Sequence, residues 1–264
     1  MAHAAEWGHW YDRLGNPVYE MPYADKRPGT RPVTLRDARK LGLVPGVSSI
    51  SRCAAAPALE RWKANQLLMA GLTLPRIAGE LEATWIDRVW TDSQEQAKNA
   101  AAKGTNIHAA IQTHYEGGVP MMEYWHYVPH ATRAINEWAQ ASDWTPEKSF
   151  ACPLGFGGKS DLSRNGTVAD IKTKEFTSAD LAAEKQLAWD DHCIQLAAYR
   201  MGLGLPKARC ANVFVSVNEP GLAVVHEWKE EELERGWRMF LALLQYWQAK
   251  NKYVSSWLPE KVAA

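Results

Sequence analysis

Read for periodicity, the chain changes character several times. Residues 1–45 alternate glycine, proline and aromatics without sustained period, through Asn16-Pro17, Arg27-Pro28-Gly29 and Arg31-Pro32, and read as an irregular arm. Residues 48–70 turn helical, with Pro57 at a helix start and Leu59, Trp62, Leu67 and Leu68 as apolar positions. A second helix is predicted over 76–90. Thr91-Asp92-Ser93-Gln94-Glu95 then offers overlapping N-caps for a third, which runs to about Tyr115 before Gly117-Gly118. Another helix is predicted over 129–141.

Strand patterns follow at 148–154, 156–163 and 167–173. Thr177 with Asp180 opens a helix predicted to reach about Leu203, stopped by Gly202, Gly204 and Pro206. Cys-Ala-Asn-Val-Phe-Val-Ser-Val at 210–217 reads as a strand, Glu219-Pro220-Gly221 as a turn, and 222–228 as a further strand. The last helix starts near Lys229. Its Trp237, Phe240, Leu241, Leu244 and Trp247 share one face, which marks them as core rather than as a base-stacking platform. This order predicts a mixed α/β domain.

Composition narrows the class. With 264 residues, 46% hydrophobic and 23% charged, the chain is an ordinary globular protein, not a disordered or collagen-like one. Lysine plus arginine equal aspartate plus glutamate at 30 each, which argues against a uniformly basic coat protein and leaves room for a local basic groove. Such a patch is offered by Lys26, Arg27, Arg31, Arg36, Arg39 and Lys40 against one acid, Asp37; a solvated loop is the alternative. The N-terminus lacks the basic start and apolar run of a secretory leader, and no run approaches the roughly 18–20 apolar residues of a membrane helix. Cys53, Cys152, Cys193 and Cys210 form no Cys-x-x-Cys pair, so a reduced, cytoplasmic protein without a zinc ribbon is expected.

The most informative stretch is Gly158-Lys159-Ser160-Asp161 through Asn165-Gly166 to Asp170-Ile171-Lys172-Thr173. Asn165-Gly166 signals a two-residue hairpin with positive φ at both positions. Arg164 then faces Thr167, and counting outward sets Asp161 opposite Asp170, with Cβ atoms about 5 Å apart. Lys172 shares the face of Asp170, and Ile171 points the other way. Facing like charges require compensation by a shared proton, a lysine or a divalent cation. Two converging carboxylates suit Mg²⁺ or Mn²⁺, and a neighbouring lysine could offset charge on a phosphate. The bland alternative is a surface salt-bridge cluster of Asp161, Asp170, Lys159 and Lys172.

These pieces, with Gly104-Thr105-Asn106-Ile107-His108 before them and Gln195-Leu196-Ala197-Ala198-Tyr199 after, resemble the PD-(D/E)xK nuclease superfamily, most closely its RecB-like exonuclease branch. The resemblance covers about residues 91–228. It implies a restriction-endonuclease-like core (a mixed central sheet flanked by helices) over 91–264, behind an N-terminal arm and helical region over 1–90. It makes Asp161, Asp170, the carbonyl of Ile171 and His108 ligands to Mg²⁺ or Mn²⁺, and Lys172 the catalytic lysine. Gln195 and Tyr199, at i and i+4, would reach the active site or the DNA together. Gly104, one turn before His108, would let the helix approach the sheet. Some relatives hold an iron–sulfur cluster with one early and three late cysteines. No late cluster follows Cys210, and none is expected here.

The implied activity is a metal-dependent DNA exonuclease of phage or bacterial recombination or repair. The alternatives are a flap-type endonuclease or a silent, nucleic-acid-binding nuclease fold. Expected DNA contacts are Arg36, Arg39, Trp62, Lys63, Lys159, Thr173 and Lys174, toward DNA that is single-stranded or has a free end. A recombination partner protein and an oligomer are compatible with this. His126 and His130, around Pro129, have ligand-like spacing but read as a loop or helix start. In Asp191-His192-Cys193 adjacent helical residues point apart, which argues against a thiol nucleophile.

Overall fold

A computed structural model describes residues 9–257 apart from Lys26 and Ala56. Residues 1–8, where a secretory leader would begin, and Lys26 of the basic run therefore lie outside the described ones. In chain order the elements are β1 (Trp10–Tyr11), β2 (Glu20–Pro22), β3 (Thr30–Pro32), α1 (Leu35–Leu41), β4 (Val44–Pro45), α2 (Val47–Ser51), α3 (Pro57–Thr73) and α4 (Glu82–Tyr115). A 3-10 turn (Met122–Tyr127) leads into α5 (Val128–Ala139). Then follow β5 (Thr145–Cys152), β6 (Phe156–Arg164), β7 (Thr167–Lys174), α6 (Ser178–Ala182), α7 (Asp190–Gly202), β8 (Arg209–Ser216), β9 (Ala223–Trp228) and α8 (Glu230–Asn251).

The mixed sheet flanked by helices expected from the sequence is present. Its order is β5-β6-β7-β8-β9, with β7 and β8 parallel and the other neighbours antiparallel. Only the parallel pair needs a crossover, and α6 and α7 supply it. Each side of the sheet carries its own apolar cluster. One gathers Val168, Phe214, Leu196, Phe240, Leu244 and Trp247, under α7 and α8. The other gathers Ala169, Ile171, Val213, Ile107, Ile111 and Ile135, under α4 and α5. Successive β7 side chains thus enter opposite cores, and a polar residue on this strand sits at the bottom of a packed layer. Phe240, Leu244 and Trp247 are buried as the face pattern predicts, while Leu241 is only half-buried.

Several element readings change. The arm is not irregular: it forms two small antiparallel pairs and a capped helix, and Trp10, Val33, Ala38, Leu43 and Ile50 join the α7/α8 core. Tyr253 beyond α8 donates to the Ala38 carbonyl at 2.9 Å. Residues 48–70 divide into α2 and α3. The expected break at Thr91 does not occur, and α4 runs through it. Thr91 donates back to the Asp87 carbonyl at 2.8 Å and Ser93 to Trp90 at 2.8 Å, so both hydroxyls serve their own helix instead of capping a new one. The Thr177/Asp180 capping box forms, but α6 stops at Ala182; Glu184 lies at φ 54°, and a separate α7 begins at Asp190. Among the described residues, no helix is long and apolar enough to cross a membrane.

Candidate active site

The hairpin between β6 and β7 has the predicted register where it pairs: Arg164↔Thr167, Ser163↔Val168 and Leu162↔Ala169. Gly166 alone takes positive φ, at 78°, so the turn is not the expected type, which requires it at Asn165 as well. The paired register ends before Asp161 and Asp170. There the Asp161 Oδ2 accepts the Ile171 backbone N–H at 2.7 Å, a carboxylate standing where the ladder would have continued.

Besides β6, which carries Asp161, four elements deliver side chains to this point. From α4, His108 Nε2 lies 3.0 Å from Asp161 Oδ2. Gly104 makes this approach feasible: a Cβ there would lie 2.5 Å from Thr173 Oγ1 on β7. From β7, Asp170, only 1% exposed, meets Lys172 Nζ at 3.1 Å through Oδ1 and 2.9 Å through Oδ2. From α7, Gln195 Oε1 accepts from the same Nζ at 2.8 Å, and its Nε2 donates to Tyr199 Oη at 2.8 Å. From β8, Asn212 Nδ2 donates to Asp170 Oδ2 at 2.7 Å, and Asn212 Oδ1 accepts from Trp228 Nε1 on β9 at 2.7 Å. A continuous hydrogen-bonded line therefore crosses three strands and one helix, from Trp228 to Tyr199.

Electrostatically the two carboxylates differ. Burial pushes the Asp170 carboxyl up to about 6; the Lys172 charge opposes this and the Asp161 charge adds to it. Burial also acts on Asp161, but the hydrogen bond and charge of His108, with Lys172 and the Ile171 N–H, outweigh it and hold this carboxyl low. His108 shows the converse: burial disfavours its charge, yet Asp161 raises it above the usual imidazole range. Burial likewise opposes the Lys172 charge, and Asp170 with Asp161 more than restores it. A pair of like charges thus shares one hole with a lysine and an imidazole, an arrangement that a sheet does not need for stability.

The donor set of Asp161, Asp170 and His108 suits a hard divalent cation with one nitrogen ligand. Two carboxylates, the half-buried Asp161 and the buried Asp170 with its pKa held well above the ordinary value, supply the negative charge such an ion neutralises. Among the described residues, no three His, Cys, Asp or Glu side chains already surround one point. At Asp170 the Lys172 ammonium contacts both oxygens, so a cation and that ammonium would compete for one carboxylate.

The other sequence-predicted residues are placed elsewhere. Lys159 pairs with Glu147 rather than with the aspartates, and the buried Asp170 rules out a surface salt-bridge cluster. Lys174 Nζ donates to the Leu187 carbonyl at 2.6 Å, and Arg39 to the Asn251 carbonyl at 2.6 Å. Lys63 pairs with Glu60 at 2.8 Å on α3, beside a partly exposed Trp62, and Arg36 is exposed on α1. His126 packs on the Tyr127 ring, and His130 lies 3.4 Å from Arg133. Cys193 is buried, with its thiol pushed up to about 12 by desolvation. The residues missed from the sequence are Asn212, Trp228 and Glu147. Asn212 carried a signal, being an amide in the middle of an apolar strand that must find partners if buried.

No family model matches the chain, and no curated protein matches it. Among solved structures it is similar to a protein of Eubacterium rectale provisionally named an exonuclease, with 11% identity over 61% of this chain and 73% of the other, at a TM-score of 0.42. It is also similar to an alkaline exonuclease of Laribacter hongkongensis, with 16% identity over 56% of this chain and 84% of that one, at a TM-score of 0.31.

Proposed function

We propose that this protein is a divalent-metal-dependent deoxyribonuclease acting as an exonuclease on DNA that is single-stranded or has a free end. The observation that carries the reading is the gathering of His108, Asp161, Asp170, Lys172, Gln195 and Tyr199 from four separate elements, α4, β6, β7 and α7, at the mouth of one hairpin. Asp161, Asp170, His108 and the Ile171 carbonyl would hold the cation, Mg²⁺ or Mn²⁺, which when bound supplies Lewis acidity to a phosphodiester. Lys172 brings positive charge to the same place, to offset charge on the phosphoryl oxygens or to hold the attacking water. Gln195 fixes the Lys172 ammonium through Oε1, and Tyr199 fixes Gln195, so α7 sets the position of the lysine. A role in phage or bacterial recombination or repair follows from the family resemblance.

The test is digestion of end-labelled single- and double-stranded DNA with Mn²⁺, Mg²⁺ or EDTA, comparing wild type with Lys172→Ala. Metal-dependent shortening that the variant loses supports the reading, and the label position gives the polarity. Opening of a closed single-stranded circle would indicate an endonuclease instead. DNA binding without cleavage under every metal would indicate a silent nuclease fold.

A further inference from the structure

We propose that Asn212 and Trp228 are positioning residues, with the Trp228 indole setting the orientation of the Asn212 amide and that amide setting the Asp170 carboxylate. The inference rests on the nuclease reading for its functional half and on geometry alone for its structural half.

Asn212 is fully buried in β8, between Ala211 and Val213, which are also fully buried. A primary amide in such a place is costly unless its donors and acceptor are met. Asn212 and Asp170 are register partners across the parallel β7–β8 pair. Trp228 is two residues along β9 from His226, the residue that faces Asn212. An indole N–H only donates and an ionised carboxylate only accepts. The amide between them can therefore satisfy both in one orientation alone: Oδ1 toward Trp228 and Nδ2 toward Asp170, each at 2.7 Å. Turning it over would set two donors against each other and two acceptors against each other. Asp170 Oδ2 is thereby pinned, and both its oxygens face Lys172. An apolar residue at 212 would fill the strand as well. What the amide adds is direction.

Trp228→Phe removes the N–H and keeps the ring; Asn212→Leu removes the amide and keeps the volume. Both are measured for thermal midpoint, DNA cleavage, and uptake of Mn²⁺ alone by calorimetry. The expected result for Trp228→Phe is Mn²⁺ binding weakened by about tenfold, with the KM for DNA unchanged and the fold retained. Asn212→Leu is expected to lose more. A change in thermal midpoint alone, with Mn²⁺ uptake and cleavage as in wild type, would overturn the proposal. The orientation is also read without any cation. In ¹⁵N-labelled protein the Asn212 side-chain NH₂ should be protected from exchange, and that protection should fall in Trp228→Phe; unchanged amide signals would overturn the proposal. If wild type neither takes up Mn²⁺ nor cuts DNA, the nuclease reading fails, and the amide measurement still decides whether Trp228 orients Asn212.

Discussion

Gly104→Ala tests whether the distance between α4 and the sheet sets the site. The added Cβ would lie 2.5 Å from Thr173 Oγ1, where ordinary contact begins at 3.4 Å. Either the Thr173 hydroxyl turns away or α4 lifts by roughly 1 Å; overpacking of this kind costs about 1–3 kcal/mol. Alanine in a helix interior returns about 1 kcal/mol over glycine, so the expected net loss is about 0–2 kcal/mol. Activity should suffer more. His108 lies one turn farther along α4, and its 3.0 Å contact with Asp161 does not survive such a shift. Misplacement by an ångström costs on the order of a hundredfold in rate. Thr173→Ala removes the obstructing oxygen, so the double variant should recover both quantities relative to Thr173→Ala alone. The assay is a double-mutant cycle in urea unfolding, paired with metal-dependent digestion of labelled DNA. A coupling energy below about 0.5 kcal/mol, together with wild-type cleavage by Gly104→Ala, would refute the close-approach account.

Two further predictions concern stability. His192 Nδ1 accepts the Trp189 N–H at 3.0 Å at the start of α7, and burial lowers its pKa from 6.5 to about 4. The folded state therefore keeps it neutral while the unfolded chain protonates it. This contribution is complete above about pH 6.5 and is lost as the pH falls toward 4, by roughly 3 kcal/mol. His192→Asn should flatten that part of the stability–pH curve; parallel curves would count against it. At the end of α7, a Cβ on Gly202 would overlap the buried Phe150 ring, so Gly202→Ala should lower stability by about 2–3 kcal/mol. An unchanged thermal midpoint would show that the helix end can move.

Much of this architecture was legible in short-range pattern. The Arg164↔Thr167 register, the Thr177/Asp180 capping box, the core face of α8 and the shared face of Asp170 and Lys172 depend on residues a few positions apart, so period and turn chemistry reveal them. The close approach at Gly104 was legible for the same reason, since only one residue type has no Cβ to remove. Tertiary structure decided what each long or buried side chain would meet. Lys159 turned to Glu147, Lys174 to Leu187 and Arg39 to Asn251 because those partners come from distant segments that no local pattern couples to them. Thr91 and Ser93 look like caps until the packing of α4 carries the helix past them. Asn212 was visible as an amide in an apolar strand, but its partners Asp170 and Trp228 are brought beside it only when β7, β8 and β9 assemble. Burial does the rest. It separates the acidities of Asp161 and Asp170, two carboxylates that the sequence presents as equivalent, because desolvation and neighbouring charge exist only once the layers close over them.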